Sequence, residues 1–244
     1  MPTIYQVGGC VRDKLLGIKP KDYDFVFVSD VSDISGAFTE MMTYLQRKGF
    51  TIFLSTSDCF TIRAKFPPTH EFKHMTADFV LARKELHYTD NSRKPVCIPG
   101  TLYDDLERRD FTVNAMAEDE SGHLIDYFNG VHDLRAGILR TPIDPQRSFG
   151  DDPLRLLRAM RFAITKDFTF SSEVDAAFAT PQLWNKLKTT VSKERIREEL
   201  HKCFAHNSIK SIRYLQKLDQ IDSTILDSIL HEPIWLKPTM EKRK

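Results

Sequence analysis

The sequence predicts an α+β chain in which a mixed unit is followed by an all-helical one. Two observations carry this. Over the first ~140 residues, short runs rich in β-branched and aromatic side chains alternate with stretches of helical period. Beyond Pro142 only the helical period remains.

The elements follow in order. Ile4–Val7 reads as a short strand running into Gly8-Gly9, and a helix over Cys10–Leu16 stops at Gly17. Asp22–Val28 is a strand by composition. Ser32–Lys48 is a helix with Ser32 as its cap; Ile34, Phe38, Met41, Met42 and Leu45 recur at helical spacing, and Gly49 ends it. Strands are expected near Phe50–Leu54, Phe60–Lys65 and Ala77–Ala82. Lys84–Gly100 is polar, holds two prolines and reads as a long loop, functional or disordered. Thr112–Ala117 looks helical and Leu124–Tyr127 extended. Helices then span Asp152–Ile164, Ser172–Ala179, Lys193–Ala205 (capped by Ser192) and Ser208–Leu218. From Asp219 the pattern is weak, and the closing Glu-Lys-Arg-Lys is expected to fray.

Composition bounds the function. The chain has 244 residues, 41% hydrophobic and 28% charged, enough for a packed core. A net charge of +1 excludes a uniformly basic nucleic-acid coat. The average hides an asymmetry: residues 186–244 hold 13 Lys/Arg and 8 Asp/Glu, a net of +5, and the rest hold 22 and 26, a net of −4. That fits a metal-dependent enzyme acting on a polyanion, and equally an ordinary solvated surface. No stretch is long and apolar enough to span a membrane, and Met1–Asp13 has no signal-peptide core. Cys10, Cys59, Cys97 and Cys203 form no CxxC pair, so reduced thiols in a cytoplasmic protein are expected rather than structural zinc.

Three groups of residues carry chemistry. Asp22 and Asp24 are two apart in a strand and so share a face. Adjacent carboxylates stay ionised best with a cation between them, and hard oxygen ligands select Mg²⁺. Asp78 lies in an apolar run and needs a partner, which that metal site would supply. Three carboxylates and two Mg²⁺ suit in-line nucleotidyl transfer, although a lone DxD is also an ordinary turn. Gly8-Gly9 between strand and helix would let backbone amides approach an anion, with Arg12 a turn further on; a plain tight turn gives the same pattern. Asp152, Arg155, Arg158 and Arg161 recur every third residue on one predicted helix, as a ligand-binding row or a solvated basic face. An Asp that only accepts beside an Arg that only donates matches the Watson–Crick edges of C and A and refuses those of G and U.

Taken together, these motifs resemble those of the class II tRNA nucleotidyltransferase and poly(A) polymerase family, most of all its bacterial CCA-adding members. Val7-Gly8-Gly9-Cys10-Val11-Arg12-Asp13 with Asp22-Tyr23-Asp24 resembles GGxVRD…DxD. Arg108–Ala115 resembles RRDxxxNA, Asp126–Leu134 the segment that links onward, Asp151–Arg155 the EDxxR nucleotide-selecting motif, and Lys193–Ile196 the start of the helix motif after it. The resemblance implies a polymerase-β-like nucleotidyltransferase head with a mixed sheet over residues 1–140. A helical, nucleotide-selecting neck over 141–205 and a short body remnant over 206–244 would follow. It implies addition or repair of the 3′-terminal CCA of tRNA from CTP and ATP, with two Mg²⁺ and release of pyrophosphate.

In that scheme Asp22 and Asp24 bind the metal, with Asp78 as third carboxylate. Gly8, Gly9 and Arg12 meet the phosphates, Arg109 binds the nucleotide, and Asp110 and Asn114 lie near the ribose. Asp152 and Arg155 read the base, and Arg158 and Arg161 complete the pocket. Asp151 stands where the family has Glu. Members usually continue into body and tail domains that grip tRNA; here the basic excess, a homo-oligomer or a partner subunit is expected to replace them. No trailing HD-type hydrolase domain follows, so its activities are expected to be absent. The stretch between Arg47 and Lys65 lacks the GRRF-like run of poly(A) polymerases, which favours CCA addition, and a loop carrying Arg93 and Lys94 favours A addition. The alternatives are a partial-specificity A-adding or poly(A)-forming enzyme, and a catalytically dead relic that binds tRNA ends.

Overall fold

The chain enters through β1 (Thr3–Val7) and turns at Gly8 directly into α1 (Gly9–Leu15). It returns as β2 (Tyr23–Val28), antiparallel to β1. This is a computed structural model, and it describes residues 2–88 and 95–230. Among these, residues up to 136 with Arg140–Ile143 cluster as one unit, and Gly137–Leu139 with the residues from Asp144 onward as another.

In the first unit α2 (Ile34–Arg47) follows, capped by Asp33 rather than Ser32: its carboxylate accepts from Gly36 N at 2.7 Å. Strands β3 (Thr51–Thr56), β4 (Thr61–Lys65) and β5 (Thr76–Leu81) come next. After β6 (Arg83–Tyr88) and β7 (Pro95–Pro99) the short strands β8 (Ala117–Glu118) and β9 (Leu124–Ile125) complete a seven-stranded sheet of order β3-β4-β5-β2-β1-β8-β9. It is mixed, because β2 and β5 run parallel while the other neighbours are antiparallel. The side chains of α2 at Ala37, Phe38, Met41 and Leu45 pack on Phe27, Ile62, Phe79 and Leu81, so the helical spacing read from the sequence is the face that buries.

Two expectations need correction. Lys84–Gly100 is not a loop throughout: β6 and β7 pair antiparallel as a separate ribbon. Val96 and Ile98 suit a strand, and both prolines fall at strand ends, where a missing N–H is tolerated. Arg93 and Lys94 lie outside the described residues. Thr112–Ala117 is not a helix but a 3₁₀ turn over Thr112–Asn114 that runs into β8. Tertiary bonds override local propensity there. Thr112 N donates to Arg140 O at 2.8 Å and Thr112 Oγ1 to the buried Asp133 at 2.7 Å.

Asp133 belongs to α4 (Gly130–Ala136), whose first amides, Gly130 N and Val131 N, donate to Asp126. A Cβ on Gly130 would lie 2.2 Å from Thr112 O, so only glycine lets this helix sit against the turn. The segment Asp126–Leu134 therefore braces the Arg108–Ala115 motif. Upstream, α3 (Leu102–Glu107) opens on a capping box of Thr101 and Asp104.

In the second unit β10 (Ile138–Leu139) pairs with β11 (Thr169–Phe170) beside a stack of helices. These are α5 (Pro145–Asp151), α6 (Leu154–Thr165), α7 (Ser172–Phe178), α8 (Pro181–Thr190), α9 (Lys193–His206), α10 (Ser208–Ile221) and α11 (Ser223–Leu230). α6 is buried along most of its length and packs on α9. Ser192 occupies the N-cap of α9 as expected, without a side-chain bond to the helix amides. No described helix is long and apolar enough to cross a membrane.

Candidate active site

Sheet register brings the acids together. Asp24 and Asp78 are direct partners across β2 and β5, and Asp22 sits in the bend just before β2 rather than within the strand. Asp24 is held above the usual carboxylate range, first by burial and then by Asp78 and Asp22; Arg109 and Arg63 pull it down without reversing the sign. That excess negative charge and a set of hard oxygens fit a divalent cation such as Mg²⁺. Among the described residues, however, no three acidic, His or Cys side chains converge as a ready metal site. Asp78 is engaged elsewhere. Its two oxygens accept from Nε and Nη2 of Arg63 at 2.5 and 2.7 Å.

Beside the acids lies the glycine turn. Gly8 has φ +76°, and a Cβ there would lie 2.8 Å from Arg109 Nη1 and 3.9 Å from Asp24 Oδ2. A Cβ on Gly9 would meet Arg12 Nη2 at 3.5 Å. Gly8, Gly9, Arg12, Asp24 and Arg109 thus gather in one place.

Each arginine is fixed by a partner. Arg12, 8% exposed, donates from Nε and Nη2 to Asp13 Oδ1 at 3.0 and 2.8 Å and from Nη1 to Asn114 Oδ1 at 2.5 Å. Asn114 Nδ2 donates to Asp110 Oδ1 at 2.9 Å, which also accepts from Phe111 N at 2.8 Å. Arg109 donates from Nε and Nη2 to Asp105 Oδ2 at 3.2 and 2.9 Å. Asp105 is fully buried and pairs with Arg108 as well. Burial alone would raise its carboxyl, but the Arg108 and Arg109 charges outweigh that and hold it below the usual range.

The remaining candidates lie in the helical unit. Asp152 is not on the same helix as the arginines. It ends α5, and its Oδ1 accepts from Leu154 N at 3.2 Å, the start of α6. Arg155 is buried and donates from Nη1 to Ser148 Oγ at 2.7 Å. Arg158 is half-buried on α6. Arg161 lies over the Phe162 ring and donates from Nε to Glu199 of α9 at 2.5 Å, a carboxylate that Lys202 also approaches at 3.4 Å. Arg155 and Arg161 are therefore held by side-chain partners rather than simply solvated.

Four residues at these sites were not legible from motif reading: Asp105, Arg63, Ser148 and Glu199. Asp105 had a signal, since it lies three and four residues before Arg108 and Arg109 on α3. Ser148 lies one helical turn before Asp152. Arg63 meets Asp78 only through strand register.

Residues 4–140, more than half of the chain, match the family model described as the poly(A) polymerase head domain. The chain belongs to this family. Two curated relatives are the multifunctional CCA protein of Nitrosomonas europaea, 41% identical over 177 residues (70% of this chain, 36% of that one), and the tRNA nucleotidyltransferase cca2 of Schizosaccharomyces pombe, 36% identical over 204 residues (80% and 42%). Among solved structures, a Thermotoga maritima CCA-adding enzyme complexed with tRNA is similar at 30% identity and a TM-score of 0.68, over 89% of this chain and 47% of that one. The chain thus spans less than half the length of these relatives. The expected mixed-sheet head followed by helices is what the structure contains.

Proposed function

We propose that this protein adds or repairs the 3′-terminal CCA of tRNA, joining CMP and AMP from CTP and ATP to the RNA 3′-hydroxyl with release of pyrophosphate. The observation that carries it is the joint packing of Gly8, Gly9, Arg109, Arg12 and Asp24, a cluster of cationic donors against a carboxylate edge. Its likeness to relatives named for CCA addition supports the choice of reaction.

Asp22 and Asp24 would hold Mg²⁺, which supplies activation of the attacking hydroxyl and charge neutralisation at the leaving pyrophosphate. The chain's own residues do the positioning. The Gly8-Gly9 turn admits the phosphates, and the Arg12–Asn114–Asp110 chain of bonds holds one cation beside them and lies toward the ribose. Arg109, braced by Asp105, holds a second cation. Asp152 accepts from the exocyclic amino group of C or A, and Arg155 donates to the adjacent ring nitrogen. Arg158 lines that pocket, and Arg161, tied to Glu199, fixes the helix that carries Arg155. In this reading residues 141–205 act as a nucleotide-selecting neck and 206–244 begin a body. Grip on tRNA is completed by the basic C-terminal stretch, by a second copy or by a partner chain, in the cytoplasm.

The test is a sequencing-gel extension assay with three tRNAs, ending before CCA, after C and after CC, with CTP and ATP singly and together. Completion to CCA on all three is expected. Addition of A alone, singly or in runs, would replace this function with an A-adding or poly(A)-forming one. Asp22→Ala or Asp24→Ala is expected to abolish extension with the fold intact; near-wild-type activity of both would remove the metal site. Asp152→Ala is expected to relax C/A over G/U choice more than it weakens RNA binding.

A further inference from the structure

Arg63, Asp78 and Asp24 stand in one row across three neighbouring strands. Arg63 pairs directly with Asp78 between β4 and β5, and Asp78 pairs directly with Asp24 between β5 and β2. Directly opposed residues share a face of the sheet, so all three project to the same side. The guanidinium covers both oxygens of Asp78, at 2.5 and 2.7 Å. The pair is not locked in: the Arg63 side chain is 49% exposed and that of Asp78 30%. Water reaches both side chains, so a divalent cation can compete with Arg63 for Asp78.

We propose that Arg63 withholds Asp78 from the Asp22/Asp24 metal site, so that Asp78 becomes a third ligand only when Arg63 releases it. This rests on the reading of Asp22 and Asp24 as metal ligands. Arg63 is then a positioning residue that sets metal affinity. The fork matters as well as the charge, because two parallel N–H bonds occupy both carboxylate oxygens at once. The long stem of Arg63 lets the released guanidinium remain near the site as a cation for an anionic substrate.

The experiment is binding of Mn²⁺ alone, followed by electron paramagnetic resonance of the free ion, to the full chain and to Arg63→Met, Asp78→Asn and the double variant. Folding is checked by circular dichroism. Arg63→Met is expected to bind Mn²⁺ roughly fivefold more tightly, the counterpart of ~1 kcal/mol. That gain should vanish in the Asp78→Asn background. Arg63→Lys, which keeps charge without the fork, should resemble Arg63→Met. No gain in Arg63→Met, or an equal gain with and without Asp78, overturns the proposal: Arg63 would then be inert or act through charge alone. Asp22→Asn separates the two readings. Loss of Mn²⁺ binding there keeps the metal site whatever Arg63 does, whereas binding indifferent to Asp22→Asn sinks the metal site and the proposal together.

Discussion

Asp24→Asn should stabilise the metal-free protein while abolishing its activity. Asp24 lies in a partly buried place beside Asp78 and Asp22, and the net effect of its surroundings is to disfavour the charged form. An isosteric amide removes that penalty and keeps the volume. Single stabilising substitutions commonly add about 0.5–2 kcal/mol. For a chain of this size ~1 kcal/mol moves Tm by roughly 2–4 °C. The sign with pH follows. An acid whose folded pKa is raised disfavours the fold above that pKa and ceases to do so as protonation proceeds, so the gap between variant and wild type should shrink as pH falls through the folded pKa of Asp24. Saturating Mg²⁺ should reverse the order, since a ligand at 100 times its Kd adds about 2.7 kcal/mol to wild type alone. Differential scanning fluorimetry at several pH values, with and without Mg²⁺, reads all of this. A variant less stable than wild type without metal, or one that gains as much from Mg²⁺, would refute the account of Asp24.

Other outcomes follow from the same contacts. Gly8→Ala combines a glycine-only backbone, φ +76°, with a 2.8 Å approach to Arg109 Nη1, and is expected to destabilise by about 1–3 kcal/mol and raise the KM for nucleotide. Asp105→Asn leaves Arg108 and Arg109 without their buried counter-charge, a loss of about 3 kcal/mol in urea unfolding. Because Asp105 is held below the ordinary carboxylate range, its stabilisation is full at neutral pH and is lost as pH falls through its folded pKa, so the variant should show a shallower acid limb than wild type. Ser148→Ala removes the 2.7 Å bond from Arg155 Nη1 and leaves it the longer one to Ser148 O at 3.4 Å, and should raise G and U misincorporation with little change in kcat for CTP, read by single-nucleotide incorporation with all four triphosphates. Arg109→Lys keeps a charge but cannot bond Asp105 through two nitrogens and also reach Gly8, so its nucleotide KM should resemble that of Arg109→Ala.

Much of the candidate site could be listed from sequence because its residues sit close together there. The Gly8–Asp13 turn has the strand-to-helix geometry its glycines suggest, whereas Asp22 sits in the bend before β2 rather than beside Asp24 in the strand. What sequence could not show is register. That Arg63 faces Asp78 depends on which residue of β4 opposes which of β5, and a one-residue slip would send Arg63 to the other face. The 3₁₀ turn at Thr112–Asn114 was missed for a related reason, since distant Asp133 and Arg140 dictate it. Several helices were missed where a cap rather than a periodic apolar face defines them. Asp144 with Pro145 opens α5, Asp126 opens α4, and the box at Thr101 opens α3.

The division of donors within Arg109 explains why the first glycine of the turn is needed. Nε and Nη2 are both given to Asp105, which fixes the plane of the guanidinium. Nη1 is then directed at Gly8, 2.8 Å from where a Cβ would stand. A side chain there would push away the one nitrogen of Arg109 that Asp105 does not hold. Arg12 is divided differently: Asp13 takes Nε and Nη2, and Asn114 takes Nη1. Arg12 is thus held by one acidic and one neutral partner, a buried bracket for the turn. Arg109 keeps an arm at the mouth of the turn. Arg109 is poised to make a new charge-assisted bond to an anion, and its buried partner Asp105 is the residue that makes this arm point the right way.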